Sequence, residues 1–522
     1  MEIVQLVPIR DGREIESKVQ ADAVSLRWED DEDRWIELCF DGPQSLRLQG
    51  QGLGLRVKSV QWTVAYRPDE RLVTFNILGA MRRYQFECIS GQIKLHGPWK
   101  AGQQDEKQVQ IDLISGDDGH WETAVDEFWS TWIPRSRRDF DACLSATRSD
   151  FEKWLAGIPD VPSEFTDART LAAYINWSFT VAPEGLLHRP SMLMSKNWMN
   201  NVWSWDHCFN AMALVQSHSD LAWDQMLLMV DHQDEYGAYP DVVNDVFKQY
   251  NFSKPPVHGW TVLELWRQNP DAASKERLEI IYGSLERWTR WWLEHRRLPG
   301  QALPHYLHGN DSGWDNSTMF DEGVPLIAPD LAAFLIVQMD ALSALAEHLG
   351  RASEAPIWQH EADQLLDALL NQLWKEDHFI AKLAVDGREV ESDSLIPCMP
   401  ILLGKRLPAT VSAKLAENIE RFLTEYGLAT EHPNSPAYTS DGYWRGPIWA
   451  PSTYIVVCGL EQSGYRKLAR RISERFCALC ARSGFAENYD ALTGAARRDP
   501  GYTWTASVFL LLAERLRGQL GA

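Results

Sequence analysis

The sequence has little that would suit a disulfide framework or a structural metal site. Its eight cysteines are spread over 522 residues, and the one close pair, Cys477 and Cys480, lies in a helical pattern with no second pair to complete a zinc site. The 14 histidines show neither the His-x-x-x-His nor the His-Glu-x-x-His spacing. We therefore expect no metal and no other cofactor.

An excess of positive charge is also missing. The formal net charge of −22 argues against a nucleic-acid partner, which would need clustered Lys and Arg. The first eleven residues lack the basic region and the long apolar core of a signal peptide, and no later apolar run suggests a membrane span. These features predict a cytoplasmic protein with a small, neutral substrate and no membrane partner. They leave homo-oligomerisation open.

Motifs of two common enzyme classes are absent as well. No Gly-x-Ser-x-Gly motif and no Walker-type phosphate loop occurs. Gly52-Leu53-Gly54 lies among predicted strands and has no helix after it. The sequence therefore gives poor support to Ser-His-Asp catalysis and to nucleotide binding.

Short runs of alternating apolar and polar residues fill the chain from about Asp22 to Ile114. Turn-like pieces such as Asp41-Gly42-Pro43 separate them, which favours an antiparallel β-sandwich over strands alternating with helices. We predict a β-sandwich domain over residues 1–118, followed by a helical linker over 119–162.

The remainder, residues 163–522, shows about twelve helical stretches, near 165–182, 204–218, 220–234, 257–269, 274–296, 328–349, 353–375, 393–402, 410–425, 448–463, 465–482 and 502–518. They are too many for a simple bundle and show no short repeat. The economical fold is a mainly α toroid of two concentric helical rings. Its long loops at one end are expected to carry the chemistry.

Two carboxylates stand in turn-like segments rich in aromatic residues and Asn or Gly. Asp315 lies in Ser312-Gly313-Trp314-Asp315-Asn316, and Glu487 lies in Phe485-Ala486-Glu487-Asn488-Tyr489. Hydrolysis of a glycosidic bond needs one protonated and one ionised carboxyl group, and an apolar setting keeps one of them protonated. The alternative is that both acids only cap a turn and a helix.

The 24 tryptophans add a second indication, because many stand beside polar residues. Sugars stack on aromatic rings and bind carboxylates, amides and guanidinium groups through their hydroxyls. Both residue types occur in 197–207, 233–241, 255–260 and 443–451. Taken singly, each segment could equally be loop and packing chemistry.

In this order the segments resemble the inverting (α/α)6-barrel glycosidases of glycoside hydrolase family 63. That family includes processing α-glucosidases and the hydrolases of mannosylglycerate and glucosylglycerate. The resemblance covers about Ser163 to Ala522.

By this resemblance Asp315 is the general acid and Glu487 the general base. It also assigns the subsite of the non-reducing sugar to Trp203, Trp205, Asp206, Trp444 and Arg445. Further substrate-binding candidates in the same segments are Gln233, Tyr239, Trp260, Trp314, Tyr443, Trp449 and Tyr489.

The implied activity is inverting hydrolysis of an α-glucoside or α-mannoside that is small and soluble, or of an oligosaccharide. Mannosylglycerate or glucosylglycerate is the alternative of the same class, and Lys196, Arg189 or Arg445 could then meet the glycerate. Trehalases share the Ser312-to-Asp315 pattern, but their other signatures are missing, so trehalose is a lesser candidate. The alternative of another class is a carbohydrate-binding protein without turnover.

Overall fold

The computed structural model describes residues 2–100 and 109–520. The chain divides into two compact units, Met1–Leu155 and Ala156–Ala522. Each unit has its own core and is described by itself.

The described part of the first unit forms antiparallel strands and one helix. The strands are β1 Val4–Arg10, β2 Arg13–Glu14, β3 Lys18–Ala21, β4 Ser25–Glu29, β5 Trp35–Phe40, β6 Ser45–Gln51, β7 Gly54–Ser59, β8 Thr63–Asp69, β9 Leu72–Ile77, β10 Arg82–Ser90, β11 Gln92–His96, β12 Gln110–Ile114 and β13 His120–Phe128. An eight-stranded sheet has the order β3-β4-β5-β6-β13-β10-β9-β8, and a five-stranded sheet has the order β11-β12-β7-β1-β2. Ile36 and Phe75 of the larger sheet share one buried cluster with Val57 and Ile111 of the smaller. This shared core confirms the predicted sandwich.

The predicted helical linker is wrong in its first part. Strand β13 lies within residues 119–162 and pairs with β6 on one side and β10 on the other, so it is central to the larger sheet. Trp121 and Val125 enter the core on one face of the strand, while Glu122 and Asp126 pair with arginines. These paired acids made the segment resemble a polar helix. Helix α1, Phe140–Gly157, begins only afterwards.

The second unit is built from helices. They are α2 Thr166–Ser178, α3 Asp206–Leu214, α4 Ser219–Asp231, α5 His258–Gln268, α6 Lys275–His295, α7 Pro329–His348, α8 Ala355–Leu373, the 3-10 segment Ile396–Arg406, α9 Ala409–Arg421, α10 Ala450–Gln462, α11 Arg466–Ser483 and α12 Thr503–Leu520. All twelve predicted stretches are confirmed. The one predicted near 393–402 is a 3-10 segment, and it contains Pro400, which lacks an N–H group that the interior of an α-helix requires.

Contacts among these helices form two rings. Helices α3, α5, α7, the 3-10 segment, α10 and α12 contact one another in turn, and α12 returns to α3. The other six helical elements pack outside this closed cycle, each against one or more of its members or against each other. Along the chain, outer and inner elements alternate. The second unit is therefore the predicted toroid.

Helix α7 is the most apolar of the inner ring. By length and composition alone it could cross a membrane, with a mean hydropathy of 1.4, which the sequence analysis did not anticipate. In the structure 83% of its most apolar stretch is buried, and α5, α6, α8 and the 3-10 segment pack against it. This burial is typical of a core helix.

The connections differ at the two ends of the toroid. Chain segments that lead from an outer to an inner helix are long, such as 296–328 and 422–449, whereas returns such as 407–408 and 463–465 are short. The long connections place their last residues at the N-termini of the inner helices. Short antiparallel strands brace them: β14 Thr180–Val181, β15 Ser191–Met192, β16 Val202–Trp203, β17 Val242–Val243, β18 Lys248–Gln249, β19 Leu326–Ile327, β20 Trp374–Lys375, β21 His378–Phe379, β22 Ala381–Leu383, β23 Glu389–Val390, β24 Asn488–Tyr489 and β25 Ala496–Arg497.

Candidate active site

The loop that carries Asp315 is fixed by the buried carboxylate of Asp311. One of its oxygens accepts a hydrogen bond from the backbone N–H of Ser253 (2.8 Å). The other accepts from the N–H of Leu307 (2.9 Å) and forms an ion pair with Arg296 (2.9 Å). Three charge-assisted contacts hold the carboxylate in one orientation. The loop before α7 is therefore rigid where Asp315 emerges from it.

Two glycines let this loop pack closely. A Cβ atom on Gly309 would overlap the backbone carbonyl oxygen of Asp315. Gly313 has a φ of +72°, and its Cβ would lie 2.5 Å from Cζ2 of Trp205. Gly309 is therefore required by close approach alone. Gly313 is required both by close approach and by its left-handed backbone.

Asn316 joins the Asp315 loop to the segment before α10. Its side-chain amide donates to the carbonyl of Gly442 (3.0 Å) and accepts from the N–H of Trp444 (3.0 Å). Arg445 donates through Nε to the carbonyl of Asn316 (2.7 Å) and pairs with Asp321. The guanidinium of Arg445 is therefore already engaged in joining the two loops.

Asp315 itself is half-buried, and burial is the main cause that raises the pKa of its carboxyl group. Asp241 adds to this rise in pKa, and Lys254 opposes it. Lys254 is buried, donates to the carbonyl of Asn310 (2.7 Å) and forms an ion pair with Asp241 (3.1 Å). A raised pKa suits a carboxyl group that must donate a proton.

Asp206 begins helix α3 and is buried. Burial raises its pKa well above the ordinary range, Asp315 and Asp241 add to the rise, and Lys254 opposes it. Three carboxyl groups therefore share the field of one buried ammonium group. Such a set of interacting acids is a candidate for chemistry.

Glu487 comes just before the hairpin of β24 and β25. It is 5% exposed, and its backbone N–H donates to the carbonyl of Asp499 (2.8 Å). Burial raises the pKa of its carboxyl group to about 7, while a hydrogen bond from Tyr443 opposes the rise. Glu487 thus titrates in the range where a general base or acid is useful.

Tyr443 brings these groups together. Its phenol group hydrogen-bonds Glu487 and lies in the field of Glu487, Asp315 and Asp206, and burial together with these charges raises its pKa. Its φ of +63° is unusual for a residue other than glycine. A strained backbone held in place by its surroundings is common at functional sites. The structure therefore brings together four residues that the sequence analysis named.

Five tryptophans form a wall in this region. Trp444 stacks on Trp449 with ring centroids 4.0 Å apart and contacts Trp314 at 4.7 Å. Trp205 contacts Trp444 at 6.3 Å and Trp504 at 5.8 Å. All five are buried, so their rings contact each other and support the loops. Direct stacking of a sugar on the four predicted members stays a prediction.

Trp203 lies on the short strand β16, beside Val242 of β17, and is half-buried. Its carbonyl accepts a hydrogen bond from the His207 ring (2.9 Å). It stands three residues before Asp206, which begins helix α3, and its contact with a sugar stays a prediction.

Gln233 and Tyr239 were predicted to bind substrate, but the structure engages both with helix α6. The Gln233 amide donates to the carbonyls of Gly237 (2.8 Å) and Ser284 (2.9 Å), and its oxygen accepts from the Ser284 hydroxyl. The Tyr239 hydroxyl shares a hydrogen bond of 2.7 Å with the Ser284 hydroxyl. Because these polar atoms are already paired, the geometry does not support sugar contacts for either residue.

Trp260 and Tyr489 are buried in other contacts. Trp260 packs against Phe209 and Tyr454 and lines a cavity of 1020 Å³ whose lining includes neither Asp315 nor Glu487. The Tyr489 hydroxyl donates to the carbonyl of Gly484 (2.5 Å). Their aromatic character within motif segments reflects packing in the toroid core.

Sequence reasoning missed several members of the site. Lys254 is a lone lysine before Pro255, Asp499 precedes Pro500, and Tyr502 and Trp504 start an apolar helix. Tyr502 is buried in the field of Asp206 and Glu487. The available signal for Lys254 and Asp499 was local: a charged residue directly before proline.

One group of side chains in the described ranges could hold a metal ion. Ligand atoms of His207, Cys208 and His258 lie within 4.8 Å of one another, and all three residues are buried. Burial lowers the pKa of both histidines and raises the pKa of the thiol. Neutral imidazoles and a thiol would suit a soft ion, yet the acid pair needs none for hydrolysis.

Comparison with known families gives one match across the helical unit. Residues 199–505 match the model of the mannosylglycerate hydrolase MGH1-like glycoside hydrolase domain. The mannosylglycerate hydrolase of Thermus thermophilus is 24% identical over 387 residues, which cover 59% of this chain and 93% of the relative. The glucosylglycerate hydrolase of Mycolicibacterium hassiacum is 21% identical over 407 residues, or 59% of this chain and 91% of the relative.

Solved structures support the fold. The GH63 mannosylglycerate hydrolase from Thermus thermophilus, in complex with Tris and D-glycerate, has a TM-score of 0.59 at 22% identity, covering 66% of this chain and 99% of its own. A bacterial glucoamylase complexed with acarbose has a TM-score of 0.65 at 11% identity, covering 98% of this chain and 88% of its own. Together they confirm the (α/α)6 toroid.

Proposed function

Because this chain belongs to the mannosylglycerate hydrolase MGH1-like glycoside hydrolase family, we propose that it hydrolyses the α-glycosidic bond of a small glucoside or mannoside with inversion. Asp315 is the proposed general acid and Glu487 the proposed general base. The observation that carries the proposal is the convergence of Asp315, Glu487 and Asp206 on the Tyr443 phenol.

The reaction is a single displacement. Glu487 removes a proton from a water molecule that attacks the anomeric carbon, while Asp315 protonates the departing glycosidic oxygen. Burial favours the protonated form of both acids and raises the pKa of Glu487 to about 7, whereas the Tyr443 hydrogen bond favours the ionised form of Glu487. An α-glycoside then yields the β-anomer as the first product.

Proton NMR tests this function directly. The protein is incubated with α-glucosides and α-mannosides, including mannosylglycerate, glucosylglycerate, kojibiose, nigerose and trehalose, and the first anomer released is observed. An early β-anomer supports the inverting mechanism. An early α-anomer contradicts it, and a folded protein that cleaves no member favours the non-catalytic carbohydrate-binding alternative.

The two roles can be separated with α-glucosyl or α-mannosyl fluoride, whichever matches the sugar that is cleaved. Fluoride leaves without protonation, so Asp315→Asn should keep much of its activity on the fluoride and lose that on the natural glycoside. Glu487→Gln should lose both, because the water still needs a base. The reverse pattern would exchange the two assignments.

An anionic leaving group such as glycerate needs a cation nearby. Arg189 is paired with Asp231 (2.7 Å), and Arg445 is paired with Asp321. Lys196 has no ion-pair partner in the ranges that the structure describes. The Lys196 side chain is exposed to solvent, yet desolvation by the surrounding protein lowers its pKa. Both features are expected for a side chain at a concave surface. These observations favour Lys196 as the contact for glycerate.

Lys196→Gln tests the glycerate alternative. KM for mannosylglycerate or glucosylglycerate should rise about tenfold or more, because a charge-assisted hydrogen bond is lost. KM for the corresponding methyl α-glycoside should not change. Lys467→Gln, on the outer helix α11, is the control and should leave both values unchanged. Equal effects on charged and neutral glycosides would contradict the role of Lys196.

A further inference from the structure

We propose that Asp499 is a positioning residue that ties the segment 195–201, which carries Lys196 and Trp198, to the chain at Glu487. The proposal rests on the proposed function, since Asp499 would hold both the general base and the segment that faces the leaving group. Nothing in the sequence places Asp499 near residue 195, which is 304 positions away.

Hydrogen bonds to Ser195 close segment 195–201 on itself. The Ser195 hydroxyl accepts hydrogen bonds from the N–H groups of Asn197 and Met199, both at 3.1 Å. The backbone N–H of Ser195 donates to the carbonyl of Met199 (2.9 Å). The segment is therefore a compact turn centred on one hydroxyl. Trp198 stands on it with 71% of its surface exposed.

The carboxylate of Asp499 holds this turn in place. Asp499 is 2% exposed, and its Oδ2 atom accepts from the Ser195 hydroxyl (2.6 Å) and from the N–H of Trp198 (3.2 Å). Its backbone carbonyl accepts the N–H of Glu487 (2.8 Å). One buried residue thus holds the turn through its side chain and the base through its backbone.

Charge links the same groups. Glu487 is faced by Tyr443, Tyr502, Asp499 and Arg498. The negative charge of Asp499 raises the pKa of Glu487, whereas the Tyr443 hydrogen bond and Arg498 lower it. Removing the charge of Asp499 should therefore lower the pKa of the base.

The test is the pH dependence of kcat/KM for Asp499→Asn, measured with whichever glycoside of the panel the unchanged protein cleaves. The acid limb, which reports ionisation of the free base, should move to lower pH because the negative charge that raises the pKa of Glu487 is removed, while the backbone carbonyl that accepts the Glu487 N–H is kept. Asp490→Asn makes the same chemical change three residues after Glu487, at a carboxylate that holds Thr493 and Leu492. It should leave the acid limb in place.

Ser195→Ala provides a second variant in case Asp499→Asn folds poorly. It removes the 2.6 Å contact but no charge, so the acid limb should stay while KM rises about tenfold for a substrate that reaches Lys196 and Trp198. An unmoved acid limb in Asp499→Asn, or an equal shift of the acid limb in Asp499→Asn and Asp490→Asn, would overturn the proposal while leaving the glycosidase function intact. Failure of the unchanged protein to cleave any glycoside would instead remove the proposed function.

Discussion

Replacing Gly313 with alanine should damage both stability and activity. Gly313 has a φ of +72°, and an added Cβ would lie 2.5 Å from Cζ2 and 2.6 Å from Cε2 of Trp205. Carbon atoms in contact normally lie about 3.5–4.0 Å apart, so the ring must move by about 1 Å. Trp205 has little room, since it is 2% exposed and contacts Phe209, Trp444 and Trp504.

Gly350 supplies a matched control. Its φ is +77°, almost the same as that of Gly313, but nothing lies within 4 Å of an added Cβ. Gly350→Ala should therefore show the backbone cost alone, about 1–2 kcal/mol. Gly313→Ala adds overpacking of about 1–3 kcal/mol. The expected loss in unfolding free energy is about 2–5 kcal/mol for Gly313→Ala.

The activities should differ more sharply. Gly313 is two residues before Asp315 in a loop that Asp311 fixes, so a shift of the loop displaces the proposed acid. A misplacement of about 1 Å can cost about a hundredfold in rate. Guanidinium unfolding followed by tryptophan fluorescence, together with kcat/KM, gives both quantities. If Gly313→Ala matches Gly350→Ala in stability and activity, the contact with Trp205 does not position the loop.

Three other predictions follow from buried charges. The pKa of Glu487 is raised to about 7, and a base must be ionised to act, so kcat/KM should fall about tenfold per pH unit below pH 7. Tyr443→Phe removes a hydrogen bond that lowers the pKa of Glu487 and should therefore move this acid limb to higher pH. Burial raises the pKa of Asp330 from 3.8 to about 7. The folded protein should therefore lose about 4 kcal/mol of unfolding free energy as the pH rises from about 4 to about 7. Asp330→Asn should not show this decrease when unfolding is measured with denaturant at several pH values. Arg296→Ala leaves the buried Asp311 carboxylate unpaired, which should lower the unfolding free energy by about 3–5 kcal/mol.

Each of these has an outcome that contradicts it. An acid limb that is the same in Tyr443→Phe and in the unchanged protein would remove the phenol from the titration of Glu487. A pH–stability curve of Asp330→Asn parallel to that of the unchanged protein would show that Asp330 is not protonated in the folded state. For the ion pair, Arg388→Ala is the control. Arg388 and its partner Glu322 are about half exposed, so its loss should cost no more than about 1 kcal/mol. Equal costs would refute the argument from burial.

The helical unit could be predicted because its pattern is repeated and local. Apolar residues at helical spacing predicted all twelve stretches, and the motif segments fell in the connections that lead to inner helices. Such a connection must end at one rim of the ring, so residues like Asp206 and Glu487 meet although they are far apart in the sequence. Strand β13 was misread because its acids, paired with arginines, resemble the polar face of a helix.

Long-range polar contacts could not be predicted in the same way. Lys254 meets the carbonyl of Asn310, and Ser195 meets Asp499, through loops that come from different parts of the ring. Conversely, Gln233 shares a motif segment with polar and aromatic residues, but its amide is paired with helix α6. Residue type shows what a side chain can bind, whereas only the fold decides whether its polar atoms remain available.

The arrangement of acids explains why the site lies at the N-termini of the inner helices. Asp206, Asp315 and Glu487 are all buried or half-buried, and burial raises the pKa of each, so this end of the toroid opposes their ionisation. The partial positive charge at the N-terminus of α3 reduces that cost for Asp206, and the ammonium group of Lys254 reduces it for Asp206 and Asp315. A chain selected only for stability would replace such acids with neutral residues. Their retention beside a strained Tyr443 is therefore best explained by proton transfer, which needs carboxyl groups that change protonation state near neutral pH.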